Sequence, residues 1–162
     1  MKMIVCVSEN YGIGYKNKLL FSIPEDMKLF RSETLGKTVI MGRKTLESFP
    51  GGKPLPNRCN IVISSDRNFF KEGAKTVCSR EEALNAVKEY KNEDVYVIGG
   101  SSIYNMFKSD CNEAVVTKVK AIRKADSFFF DIDSDKEWKK VSESEIKEYK
   151  GLEFTFNRYI RD

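Results

Sequence analysis

Two apolar, β-branched runs in this chain drive into glycine and come out as helix-forming sequence. They are Thr38-Val39-Ile40-Met41-Gly42-Arg43-Lys44-Thr45 and Val95-Tyr96-Val97-Ile98-Gly99-Gly100-Ser101-Ser102-Ile103-Tyr104. Few patterns restrict a fold so tightly, because strands joined through helices pair in parallel. The junction also has a chemistry. The first N–H groups of the helix are unpaired and aimed at one spot, and the helix dipole makes that spot favour anions. A single junction is compatible with a tight connection and nothing more. Two in one small chain point to one ligand carrying phosphates at both ends, as a dinucleotide does.

At 162 residues the chain is sized for one domain, 1–162, with room for a sizeable core. No apolar run approaches the roughly 20 residues of a membrane span. Met1-Lys2-Met3 leads directly into a strand without a signal peptide. The expected location is the cytoplasm, with no membrane partner. Cys6, Cys59, Cys78 and Cys111 are scattered with no CxxC pair, which reads as reduced thiols. Histidine is absent, so Ser–His and Cys–His nucleophiles and His-ligated metal sites are excluded. Proton chemistry must then run through a carboxylate, a lysine, a tyrosine or water. The net charge of +4 is interspersed with acids, as in Lys88-Glu89-Tyr90-Lys91-Asn92-Glu93-Asp94, which describes a solvated face and no nucleic-acid surface.

Along the chain, Met3–Val7 reads as a strand, Ser8–Tyr15 as a polar glycine loop, and Ser22-Ile23-Pro24-Glu25 as a capping box. That box opens a helix to about Leu35, which Gly36 ends. Val39–Met41 is a strand, Lys44–Phe49 a short helix, and Pro50–Pro56 an irregular loop. Asn60–Ile63 and Thr76–Cys78 are strands. Ser79-Arg80-Glu81-Glu82 is a second capping box, opening a helix with Ala83, Leu84, Val87 and Tyr90 on one face. Val95–Ile98 is a strand, Ser102–Phe107 a helix and Ala114–Val119 a strand. Leu152–Ile160 alternates strictly, as a half-exposed antiparallel strand does. The class is α/β, with a mostly parallel sheet and an antiparallel edge.

Several residues carry two readings. Asp26 lies in the first turn of its helix beside Met27 and Phe30, as a carboxylate against an inward apolar stripe or as an acid complementing the dipole. Arg43 and Lys44 follow Gly42, and Ser64-Ser65-Asp66-Arg67 ends another strand. Together they form a phosphate-monoester site, or are merely solvated. Thr45 caps its helix or joins that site. Gly99-Gly100 admits a pyrophosphate or makes a tight turn, and it lacks the GxGxxG spacing. Arg58, after Pro54-Leu55-Pro56-Asn57, binds a carboxylate or lies on the surface.

The order of these segments resembles dihydrofolate reductase over essentially the whole chain. The matching segments are Gly12-Ile13-Gly14 with Asn17, Ile23-Pro24-Glu25-Asp26-Met27-Lys28-Leu29-Phe30, and Val39-Ile40-Met41-Gly42-Arg43-Lys44-Thr45. Pro54-Leu55-Pro56-Asn57-Arg58, Val97-Ile98-Gly99-Gly100 and Thr117 follow. The resemblance implies an eight-stranded, mostly parallel central sheet with an antiparallel C-terminal strand and about four flanking helices. It implies hydride transfer from NADPH to C6 of 7,8-dihydrofolate with protonation at N5, in the service of one-carbon metabolism, and a target for antifolates. It assigns Asp26 and Thr117 to catalysis, with Asp26 gripping the pterin N3 and 2-amino group. Val5, Cys6, Met27, Phe30, Phe49, Leu55 and Ile98 would line the substrate pocket, and Arg58 would take the glutamate carboxylate.

By the same likeness Val7, Ile13, Gly14 and Leu19 would border the nicotinamide, the last three in a closing loop. Gly42, Arg43, Lys44, Thr45, Ser64, Ser65, Gly99, Gly100, Ser101 and Tyr104 would hold the cofactor. Arg43 and Ser64 would meet the 2′-phosphate, so that NADPH is taken over NADH. A monomer with no nucleic-acid partner is expected. The chain departs from the family pattern in Phe21 for a tryptophan, Cys6 for an alanine, and Ser101 and Ser102 for a glycine and an arginine. The pyrimidine reductase of riboflavin synthesis and a nucleotide-binding module without catalysis are the alternatives. The Pro-Glu-Asp helix start and Arg58 favour folate over the first, and Asp26 with Thr117 an enzyme over the second.

Overall fold

A computed structural model describes residues 1–162. Strand β1 (Lys2–Val7) lies mid-sheet, and its alternate residues face two different cores. Met3, Val5 and Val7 enter a cluster of 23 buried residues, whereas Ile4 joins a second cluster. On the first face pack α3 (Arg80–Val87) and α4 (Ser101–Phe107), through Ala83, Val87, Ile103, Tyr104 and Phe107. On the second pack α1 (Pro24–Thr34), through Leu29 and Phe30, and α2 (Arg43–Ser48), through Leu46.

The parallel part runs β8-β1-β7-β4-β5-β6, with β4 (Thr38–Gly42), β5 (Cys59–Ile63), β6 (Ala74–Val77), β7 (Val95–Gly99) and β8 (Glu113–Val119). Beyond β8 come β12 (Leu152–Arg161), antiparallel, and then β10 (Trp138–Glu143), while β11 (Lys147–Tyr149) pairs with the start of β12. The antiparallel strand is therefore internal, which corrects its expected edge position. The strand outside it escapes hydrophobic periodicity because only Trp138 is buried, and lysines blunt the edge. Nor does burial alternate strictly along β12. Phe154 is buried on one face, Asn157 and Tyr159 on the other, as the covering cluster changes from the Leu20–Phe21–Ile23 group to the main core.

Three local expectations are corrected. The Ser8–Tyr15 loop contains β2 (Gly12–Tyr15), which with β3 (Lys18–Leu19) and β9 (Ser127–Phe128) makes a separate small sheet. Glycines and exposed polar residues hide it from any apolar pattern. The first capping box does not form. Ile23 is the N-cap, without a side-chain cap, because Pro24 already occupies the first helical turn. The second forms in altered shape. Ser79 accepts from Glu82 N, but the Glu82 carboxylate turns to Cys78 N, and the helix ends at Val87, leaving Tyr90 outside it and exposed. No helix is long and apolar enough to cross a membrane.

Candidate active site

The second face of the sheet carries a half-buried carboxylate, Asp26. α1 lays Asp26 over the C-terminal ends of β1 and β8, where Cys6 and Thr117 are register partners. Thr117 Oγ1 donates to Asp26 Oδ1 at 2.6 Å, and the Cys6 thiol donates to the same group. Burial raises the Asp26 pKa, and the two donors pull it back only in part. The thiol itself is pushed well up by burial and by the neighbouring carboxylate, so it stays protonated. Phe30, Phe49 and Leu55 are half-buried around this point, against the cluster that contains Ile98. Met27, 49 % exposed, forms the outer rim, so the apolar stripe of α1 is not wholly inward as expected.

Beyond Phe30, Arg58 is half-buried, with its guanidinium 5.9 Å from the Phe30 ring centroid. Its Nε is buried and finds no partner in the protein, and burial beside Arg31 lowers its pKa. A buried donor without an acceptor is costly, and here it fits an anionic ligand. The loop carrying it is clamped by Asn60, whose amide donates to Leu55 O (2.9 Å) and Arg58 O (3.1 Å) and accepts from Leu55 N (3.0 Å). Nothing in the sequence marks Asn60 for this task beyond a polar residue opening an apolar strand.

The two glycine junctions meet. β4 and β7 are neighbours, and Met41 stands opposite Gly99. Thr45, in the first turn of α2, reaches across, so that a Cβ built on Gly99 or Gly100 would lie 3.6 or 3.7 Å from its Oγ1. Gly99 has φ +127°, which favours glycine. Gly42 and Gly100 are the N-caps of α2 and α4, and neither helix has a side-chain cap. Tyr104 lies beneath, its hydroxyl committed to Ile4 O at 2.7 Å.

Of the remaining sequence candidates, Val5 and Val7 turn their side chains into the opposite core, leaving backbone for this face. Ile13 is buried, Gly14 lies on β2, and Leu19 is 69 % exposed on β3. Ser101 Oγ is spent on Phe128 O (2.7 Å), and Ser64 Oγ accepts from Asp66 N (3.1 Å). Ser65 and Lys44 are exposed. Arg43 stacks on Phe69 at 4.3 Å. The first loop is held from behind by groups that no motif revealed. Asp126 N donates to Gly14 O, and Lys16 N to Asp126 Oδ2, both at 3.0 Å. Asp133 accepts from Tyr11, Lys118 and Tyr159, whose donation outweighs burial and lowers its pKa to about 2.

The family model described as dihydrofolate reductase matches residues 1–161. The chain belongs to the dihydrofolate reductase family. It is 39% identical over 159 residues to the dihydrofolate reductase of Neisseria gonorrhoeae, covering 98% of this chain and 96% of that protein. With the dihydrofolate reductase of Staphylococcus haemolyticus it shares 32% over 163 residues, 99% and 95% of the two chains. Dihydrofolate reductase from Enterococcus faecalis, solved with NADP(H) and RAB-propyl, superposes with a TM-score of 0.89 at 30% identity, over 99% of this chain and 95% of that one. The expected class is thereby met: a central, mostly parallel sheet of eight strands in one order, with β11 added as a ninth beside β12, an antiparallel C-terminal strand and four helices.

Proposed function

We propose that Asp26, Thr117 and the two glycine junctions carry the reaction of the dihydrofolate reductase family, the reduction of 7,8-dihydrofolate to 5,6,7,8-tetrahydrofolate with NADPH. The observation that supports it most is the combination of a carboxyl whose pKa burial raises, Asp26, with an Arg58 Nε buried without a partner, Phe30 of the Asp26 helix lying 5.9 Å from that guanidinium. That combination suits a flat heterocycle with a proton-hungry edge and a distant carboxylate tail. Asp26 would hold the pterin N3 and 2-amino group, and Thr117 would orient Asp26. Cys6, Phe30, Phe49, Leu55 and Met27 would line the ring and aminobenzoyl portion, with Ile98 and the backbone of Val5. Arg58 would pair with the terminal carboxylate in a charge-assisted bond.

The residues present also fit the dinucleotide. Gly42, Gly99 and Gly100 leave room for close backbone approach. Lys44, Thr45, Ser65, Ser101 and Tyr104 would line the uncapped helix starts, and Arg43 with Ser64 would read a 2′-phosphate. NADPH, when bound, supplies the hydride that C6 receives. Val7 and the Ile13–Gly14–Leu19 segment would shield that step from water. A carboxyl whose pKa is raised holds its proton nearer neutrality, which favours the substrate form protonated at N5. A positioned acid of this kind contributes ~10²–10⁴-fold.

The same reading takes residues 1–162 as one reductase domain acting as a monomer, with no nucleic-acid partner. Four free cysteines support a reducing, cytoplasmic location. The test is the loss of NADPH absorbance on adding dihydrofolate, with Asp26→Asn alongside. Oxidation by the wild type that falls ~10²-fold or more in the variant is the expected result. Wild-type turnover in Asp26→Asn would remove the acid from the mechanism, and no oxidation by either protein would overturn the substrate assignment.

A further inference from the structure

Arg43 does not stand alone at the adenosine end of the proposed cofactor site. Its Nε lies 3.6 Å from Glu47 Oε1 and its Nη1 3.9 Å from Asp66 Oδ2. Phe69 backs the guanidinium plane at 4.3 Å and fixes where it points. The other guanidinium of this loop, Arg67, is turned away to Glu82 Oε1 at 3.0 Å. The Ser64 hydroxyl, 4 % exposed as a residue, is used inside the loop as the acceptor for Asp66 N. Asp66 is itself held in place, because its Oδ1 accepts from Asn68 N at 2.9 Å. The remaining Oδ2 lies on the Arg43 side of this turn, 3.9 Å from the guanidinium.

We propose that Asp66 sets cofactor preference in this enzyme, its carboxylate weakening the grip of Arg43 on a 2′-phosphate and offering an acceptor to an unphosphorylated ribose. The inference rests on the reading of Arg43 as the residue facing the adenosine ribose. Its chemistry is general. In dinucleotide sites an acidic side chain at the end of a strand accepts from a ribose 2′-hydroxyl, whereas an arginine receives the 2′-phosphate. Here one loop presents both. Against a phosphate of nearly two negative charges, Glu47 and Asp66 offset Arg43 and Lys44, so this corner has little net charge to attract the ligand. NADPH is then taken over NADH by a narrower margin than Arg43 alone would produce.

Asp66→Asn tests this, because an asparagine side-chain oxygen still accepts from Asn68 N while the charge is removed. The measurement is calorimetric binding of NADP⁺ and of NAD⁺ to the purified chain, at low and at moderate salt. In the variant the ratio of the NAD⁺ to the NADP⁺ dissociation constant should rise about three- to tenfold at low salt, and less as ions screen the site. Adenosine 2′,5′-bisphosphate against adenosine 5′-monophosphate should show the same change, since the difference lies at the 2′ position. Circular dichroism with a thermal melt matching the wild type confirms an intact fold. A ratio unchanged in the variant, or two constants that move together, overturns the role of Asp66 while leaving the reductase reading in place. Failure of the wild type to bind either dinucleotide would overturn that reading, and this inference with it.

Discussion

Asp26 lies at the end of α1 where the dipole lowers a carboxyl's pKa, yet its pKa is raised, because burial outweighs the dipole and both hydrogen bonds. The Cys6 thiol is one of the two groups restraining that rise. Cys6→Ala removes a donor to the carboxylate, so the Asp26 pKa should move further up and the alkaline limb of the kcat profile should shift to higher pH. Cys6→Ser, which keeps a donor, should restore the limb, and a pH series of both variants checks it. The stability sign is the opposite of that for an ordinary ion-paired aspartate. A carboxyl raised in the folded state binds its proton more tightly than in the unfolded chain, so folding weakens as pH rises through that window. Asp26→Asn should therefore melt at a higher temperature than the wild type at neutral pH while losing turnover. A lower melting point would show that the Thr117 and Cys6 bonds outweigh the buried charge.

Elements that face two partners at once are the ones that pattern reading loses. The first loop is the clearest case. β2 is short, rich in glycine and flanked by its close neighbour β3 and by β9, the latter arriving from more than 100 positions away. Gly12 is the tight point, since a Cβ there would lie 2.9 Å from Ser8 Oγ and 3.0 Å from both Ala125 Cβ and Leu20 Cδ1. Gly12→Ala should cost about 1–3 kcal/mol by overpacking. It should also expose the 8–20 segment to limited proteolysis before the rest of the chain. A variant as stable and as resistant as the wild type would mean that the loop relaxes freely. Short helices α2 and α4, by contrast, were legible almost to the residue, because glycine after a β-branched run is a strong local signal. Their uncapped starts were foreseeable. That Thr45 of one would touch the glycines of the other was not.

The whole molecule depends on the parallel centre of its sheet. Ile40 is fully buried in the main cluster, on a strand paired on both sides by β5 and β7. Ile40→Ala should cost about 2–5 kcal/mol through lost burial and the cavity left behind. That is a fall in melting temperature of about 10 °C for a chain of this size, readable in a thermal scan. A change of only one or two degrees would show that the core collapses around the gap. The local sequence determined the class of fold and the strand–glycine–helix junctions, because each is written in neighbouring residues. It left Asp26, Arg43 and Arg58 with two readings each, and Thr117 was named only through the family resemblance. Tertiary structure alone decided that Cys6 and Thr117 lie side by side on β1 and β8 under Asp26. It also decided that β12 is internal, that Asp126 and Asp133 hold the first loop, and that Asp66 reaches Arg43. These contacts join residues from 14 to more than 100 positions apart, or depend on which way a loop turns, and no period or spacing along the chain encodes either.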